Sequence, residues 1–319
     1  MLFTEEMLSE YAKPLSQTEE QRCKNAINMV CDALKSIGYT TDSTSPKTLI
    51  EGSYAYIYEL KHNEGRKVKL LLQGSYANNT NVRQNSDVDI AVILESTFSA
   101  EYRSGLTRRE YGHFDSSDNL QKFKDDVEII LSKYFGNCVE RKNKSIKING
   151  NNYRVDADTV PCMRYRDYRK DYSNNPNNYI AGIKIIADDG EVIINYPEQH
   201  IINGKKKNNN TNMLYKKVVR ITKKLRYLME ECGIKEASGV SSFVLESLLW
   251  NVPDNWYTEY AKYRKVFIIH SLINYLLDSQ AYFDFYFEVN GIKKLFPTKE
   301  ARENMISYLQ KLQKFYQYA

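Results

Sequence analysis

Two aspartates at the mouth of an apolar run, Asp87-Val88-Asp89-Ile90-Ala91-Val92-Ile93-Leu94, constrain this 319-residue chain more than any other feature. The run reads as a strand, and side chains two apart on a strand share a face. Both carboxylates therefore point at one spot. They repel each other unless a cation lies between them or one is protonated, and hard oxygen ligands suit magnesium. Upstream, Val68 to Leu72 reads as a short strand that runs into a Gly74-Ser75 turn, and a polar loop over 78–86 leads on to Asp87. A Gly-Ser turn lets backbone N–H groups and a hydroxyl approach phosphate oxygens closely. The combination points to metal-assisted chemistry on a phosphate.

Gly-Ser-Tyr-Ala occurs twice, at Gly52 and at Gly74. Only the second is followed by an Asp-x-Asp; the first runs into the strand-like Tyr56-Ile57-Tyr58-Glu59-Leu60 and reads as a chance turn. Holding two metal ions takes a third carboxylate. Ile146 and Ile148, the Gly150-Asn151-Asn152 turn and the stretch from Tyr153 to Val160 read as a hairpin. Its returning strand carries Asp156 and Asp158 on one face, and periodicity does not choose between them.

The remaining elements follow from pattern. Ser16-Gln17-Thr18-Glu19 has capping-box form, and Cys23, Ile27, Val30, Leu34 and Ile37 make a one-sided stripe. Together they predict a long helix from about Glu19 to Ser36. A second helix runs from Leu120 to Gly136, and Asp189-Gly190 turns a hairpin between Gly182 and Tyr196. Beyond Pro197 the chain reads as a basic, Asn-rich loop from Lys205 to Asn212. Helices follow at Asn212 to Cys232, Ser241 to Asn251, Tyr257 to Leu277 and Thr298 to Tyr316. This predicts two parts, 1–200 and 201–319.

A formal charge of +5 fits a phosphate-bearing ligand as well as it fits a solvated surface. Five cysteines with no CxxC pairing predict free thiols in a reducing compartment and no zinc framework. Val266 to Leu277 is too short and polar to span a bilayer, and Met1 to Lys13 has no signal-peptide core. A cytoplasmic protein is expected, without membrane partner. No basic face alternates with aromatics, so no strong nucleic-acid-binding signal is read.

Gly74-Ser75, Asp87-Val88-Asp89 and Ala157-Asp158-Thr159-Val160-Pro161 together resemble the polymerase-beta-like nucleotidyltransferases. More narrowly they resemble the group containing oligoadenylate synthetase, cyclic GMP-AMP synthase and the bacterial cGAS/DncV-like enzymes. The resemblance spans roughly residues 15 to 260. It implies an α+β fold: a bilobed core of mixed sheet and flanking helices, a C-terminal helical lobe, and a long N-terminal brace helix. It selects Asp158 over Asp156 as the third acid. It further implies that Asp87, Asp89 and Asp158 bind two magnesium ions (or manganese) and that Gly74 and Ser75 hold phosphates. Lys223, in Val219-Arg220-Ile221-Thr222-Lys223-Lys224, would contact the donor triphosphate. Ser242 and Phe243, in Ser241-Ser242-Phe243, would touch that triphosphate and stack on the donor base; Phe243 stands where the family has tyrosine.

The activity implied is transfer from one nucleoside triphosphate to a ribose hydroxyl of another. The product would be a cyclic di- or trinucleotide read by a downstream effector in antiphage (CBASS) signalling, made by a monomer. Two alternatives stand beside it: modification of an RNA, protein or small-molecule acceptor, and a catalytically silent nucleotide binder.

Overall fold

A computed structural model describes residues 1–82, 87–116, 118–259 and 264–318. The chain forms two compact units. One comprises Ser16–Ala77 and Ser86–Glu198; the other comprises Met1–Leu15, Asn78–Asn85 and Gln199–Ala319. The sequence reading gave all of 1–200 to the core. Instead, the first fifteen residues and the stretch beginning at Asn78 pack with the helical unit. The reason is apolar: Leu2–Phe3 (β1) pairs in parallel with Gln317–Tyr318, and Phe3 stacks on Tyr316 at 5.3 Å. Helix Glu5–Tyr11 (α1) then buries Leu8 in the same core.

The sheet unit opens with Gln17–Lys35 (α2), a little longer than its stripe predicts. Ser16 Oγ accepts from Glu19 N while Ser16 N donates 2.8 Å to the Glu19 carboxylate, so the capping box forms. Ten strands make one sheet: Tyr39–Thr40 (β2), Lys47–Thr48 (β3), Tyr56–His62 (β4), Lys67–Gln73 (β5), Val88–Tyr102 (β6), Val139–Arg141 (β7), Ile146–Ile148 (β8), Ala157–Tyr168 (β9), Ile180–Ile186 (β10) and Val192–Asn195 (β11). The main path runs β11-β10-β9-β6-β5-β4-β2. Only β6 and β9 are parallel; every other pairing in this sheet is antiparallel. A parallel pair needs a crossover, and the connection from β6 to β9 carries helix Leu120–Phe135 (its place in chain order is after the short Gly74–Ala77 helix). Val88, Ile90, Val92 and Leu94, all fully buried, form one face of β6. The opposite parity belongs to Asp89, Ala91 and Ile93.

The helical unit contradicts the sequence reading at Lys205 to Asn212. Residues 205–210 of that stretch lie in helix Pro197–Asn210, with proline in the first turn, where its missing N–H costs nothing, and only 211 and 212 are turn. Lys207 is buried and pairs with Asp254 at 2.5 Å, which anchors a turn whose polar composition resembles a loop. Helices Tyr215–Glu231, Ser242–Trp250 and Lys299–Phe315 follow the expected stripes. The helix expected over Tyr257 to Leu277 is two helices, Asp254–Glu259 and Lys265–Asp278. Residues 260–263 of that expectation lie outside the described residues, as do 83–86 of the predicted loop. Arg264 is extended (φ −107°, ψ 157°) and starts the second helix afresh. Tyr257 is held by the 2.7 Å bond from its hydroxyl to Leu249 O. Tyr215, Leu225, Met229, Leu272, Met305 and Tyr308 centre the core of this unit. Among the described residues no helix is long and apolar enough to cross a membrane.

Candidate active site

The acids lie in one row across the sheet. Asp89 on β6 is the register partner of Asp158 on the parallel β9, and on its other side it partners Gln73, the last residue of β5. Side chains in register across a sheet share a face and approach closely. Gly74 follows Gln73 with φ +70°, and a Cβ there would overlap Asp89 Oδ2 outright and lie 2.9 Å from Asp89 Cγ. Glycine is therefore required twice: by the backbone angle, and by the carboxylate pressed against it. Ser75 is half-buried in the short helix that Gly74 opens. Asp87, exposed, immediately precedes β6.

Asp156 and Asp158 separate clearly. Asp156 stands before β9; one of its oxygens accepts from Gly150 N at 2.6 Å and the other pairs with Lys147 Nζ at 2.7 Å. The Lys147 bond leads in holding Asp156 below its ordinary pKa. It is a turn residue already committed. Asp158 sits in β9 beside Asp89 and accepts a 3.2 Å bond from Ser145. Lys147, on β8, is itself the register partner of Asp158, and its ammonium lies 3.6 Å from Asp87 Oδ2. Lys147 is not singled out by local sequence pattern. Its only signal was the alternation Ile146-Lys147-Ile148, which sets the lysine opposite the apolar pair once the hairpin register is known.

Burial pushes the Asp89 carboxyl from 3.8 up to about 7, and the charges of Asp158 and Asp87 add to the rise. A divalent cation would remove the second cause and outweigh the first, and three carboxylates are a hard donor set suited to magnesium or manganese. Among the described residues no three acidic, His or Cys side chains are already drawn into a metal cage. The donor set fits a metal by chemistry and charge. Proton and metal would then compete for Asp89. Manganese affinity is expected to be about tenfold weaker at pH 6 than at pH 8 in a binding titration, and Asp89→Asn should flatten the dependence. The sign for stability is opposite. A raised acid stabilises the metal-free fold fully below about pH 4, and that contribution is lost as pH rises through about 7.

A cavity of about 600 Å³ in the same unit includes none of these acids. It lies further along the strands, and its inner charges cancel: Lys69 pairs with Glu198 at 2.7 Å, and Arg164 Nε with Glu95 at 3.1 Å.

The other expected residues belong to the helical unit. Lys223, the expected triphosphate contact, lies inside this unit. Its side chain is 3% exposed and its ammonium donates to Glu246 at 2.7 Å and to Thr80 at 3.1 Å. Burial pushes the Glu246 carboxyl up, but Lys223 and His200 outweigh it and hold the group well below the carboxylate range. The ammonium is thus paired within its own unit, and Thr80 lies seven residues before Asp87. Ser241, not Ser242, caps the helix at Ser242–Trp250, and the Ser242 hydroxyl lies 3.4 Å from that of Tyr227. Phe243 keeps 39% of its surface exposed and meets the His200 ring edge-on at 5.4 Å. Burial brings Lys216, which the sequence did not single out, down to about 8. Glu246 opposes this, and Arg220 and Lys205 reinforce it.

With this geometry in hand, comparison with known proteins places the chain. A model described as a nucleotidyltransferase domain matches residues 56–156, and one described as the cGAS/DncV-like nucleotidyltransferase C-terminal helical domain matches residues 202–317. Cyclic GMP-AMP synthase CdnE03 of Staphylococcus schleiferi is 43% identical over 342 residues, covering 100% of this chain and 98% of its own. The chain belongs to the cGAS/DncV-like nucleotidyltransferases. Cyclic dipyrimidine nucleotide synthase CdnE of Cecembia lonarensis is 38% identical and covers 81% of this chain and 78% of its own. The structure of Elizabethkingia meningoseptica CdnE cyclic dinucleotide synthase, with GTP and Apcpp, has a TM-score of 0.74 at 31% identity and covers 98% of both chains. This cGAS/DncV-like protein is accordingly a nucleotidyltransferase enzyme of mixed-sheet fold with a C-terminal helical domain.

Proposed function

We propose that this cGAS/DncV-like enzyme joins two or three nucleoside triphosphates into a cyclic oligonucleotide. Pyrophosphate is released, and the product signals to a downstream effector in bacterial antiphage (CBASS) defence. The observation that carries the reading is the in-register pair Asp89–Asp158 with Gly74 packed against it. A binding module has no use for such a repulsive cluster, since every added carboxylate raises the cost of burying the next. In this reading Asp87, Asp89 and Asp158 would hold two magnesium ions, and Gly74 and Ser75 would grip the β- and γ-phosphates. When bound, the ions lower the pKa of the acceptor hydroxyl and stabilise the pyrophosphate leaving group. Phe243 offers an exposed ring on which a donor base can stack. Ser242 supplies a hydroxyl beside it. Lys223, paired with Glu246 and Thr80, is the donor-triphosphate contact of this reading.

The named products of the relatives differ, cyclic GMP-AMP in one and a cyclic dipyrimidine in another, so kinship does not fix the bases. Incubation with the four labelled triphosphates and magnesium or manganese should give a small, phosphatase-resistant product that depends on Asp89. Label transferred to an RNA, a protein or another acceptor would replace this reading with the acceptor-modifying one. No product at all would leave a silent binder.

A further inference from the structure

We infer that Lys147 is the built-in counter-ion of the acid row: its ammonium stands in for part of the charge of a divalent cation and releases Asp87 when that cation binds. The inference rests on the reading of Asp87, Asp89 and Asp158 as metal ligands. Three observations lead to it. Lys147, Asp158 and Asp89 are successive register partners on β8, β9 and β6, so the cation stands at the end of the acid row and on its face. Four carboxylates, those of Asp87, Asp89, Asp156 and Asp158, crowd this end of the sheet, and Lys147 is the cation seen in ion pairs with them among the described residues. Its two contacts are also unequal. The 2.7 Å pair with Asp156 is a close ion pair, whereas the 3.6 Å approach to Asp87 is a looser one.

That inequality gives the lysine a resting place. Asp156 is pinned by Gly150 N at 2.6 Å and stays where it is whatever happens at the acid row. Lys147 can therefore give up Asp87 and keep Asp156. Its side chain is 25% exposed, so its field on the row is only partly screened. A lysine suits this duty because its ammonium is a compact charge on a flexible stem, free to shift without a fixed fork of donors. The same charge that stabilises the metal-free row opposes the incoming cation.

The test is manganese affinity of the full chain, read from the resonance of free manganese, together with melting temperature in chelator and in saturating manganese. Lys147→Met should bind manganese about tenfold tighter than wild type, because a like charge near the site is gone. It should melt lower in chelator and recover most of that loss with manganese. Lys147→Arg should stay within about twofold. Asp156→Asn frees the ammonium for Asp87 and should weaken binding about threefold, a shift of the opposite sign. Equal or weaker affinity in Lys147→Met, or the same melting loss with and without manganese, would make Lys147 a structural tie for the hairpin and overturn the inference. If Lys147→Met does not fold, unchanged affinity in Asp156→Asn overturns it equally. Wild type and Asp89→Asn binding manganese alike would instead sink the metal-ligand reading itself.

Discussion

Asp89→Asn and Asp158→Asn are each expected to slow nucleotide incorporation by roughly 10³-fold or more, the equivalent of several kcal/mol of lost charge stabilisation. Triphosphate binding should weaken far less, since phosphate contacts elsewhere remain. Initial rates of pyrophosphate release, with melting curves for each variant, check both statements. Asp89 gives the cleaner separation of catalysis from folding. Its carboxyl is raised to about 7 because the charged form is disfavoured where it sits. Removing that charge relieves the metal-free fold, so Asp89→Asn should melt no lower than wild type in chelator at pH 8. Asp156→Asn should do the reverse: keep its rate within about tenfold, but lose about 1–2 kcal/mol of stability with the Gly150 and Lys147 bonds weakened. Abolished turnover in Asp156→Asn with activity retained in Asp158→Asn would exchange the two roles.

The pair Asp156 and Asp158 also shows where sequence reading stops. Alternation put both on one face, and that much is true of any two residues so spaced. What separates them is pairing. Asp158 lies inside β9 opposite Asp89, while Asp156 belongs to the turn that Gly150 closes. Register is a long-range property: β6 and β9 are joined by more than fifty residues and a helix, and no local pattern states which residue of one meets which of the other. The resemblance to a family supplied the choice, and the ladder supplies its physical reason. Lys147 was illegible for the same cause, since its meaning depends on two successive registers.

Other features were legible because they are local. The Ser16–Glu19 capping box, the Asp189-Gly190 hairpin and the stop at Gly136 each rest on a few adjacent residues. Lys205 to Asn212 misled for a complementary reason. Lysine is a good helix former and asparagine only a mildly poor one, and the buried Lys207–Asp254 pair, set 47 residues apart, adds a tertiary anchor. The partners of Lys223 are equally non-local. Only the fold brings Glu246 and Thr80 to its ammonium.

Gly74→Ala is expected to cost at least about 10² in rate while leaving the fold intact, a larger effect than a single methyl group normally has. Two penalties act there and they can be separated. The first is backbone: at φ +70° an alanine pays about 1–2 kcal/mol for a left-handed conformation. The second is positional. The new Cβ would occupy the place of Asp89 Oδ2, so the carboxylate must turn away or β6 must move. A displacement of about 1 Å at a reacting centre can cost about 10²-fold. Gly65 supplies the control within the same unit. Its φ is +90°, and a Cβ there meets nothing within 4 Å. Gly65→Ala should therefore show a comparable loss in melting temperature with turnover within about twofold of wild type. If Gly74→Ala instead behaved like Gly65→Ala, keeping its rate and its manganese affinity, Asp89 would have room to move without consequence. The close packing of glycine against that carboxylate would then have no part in the reaction.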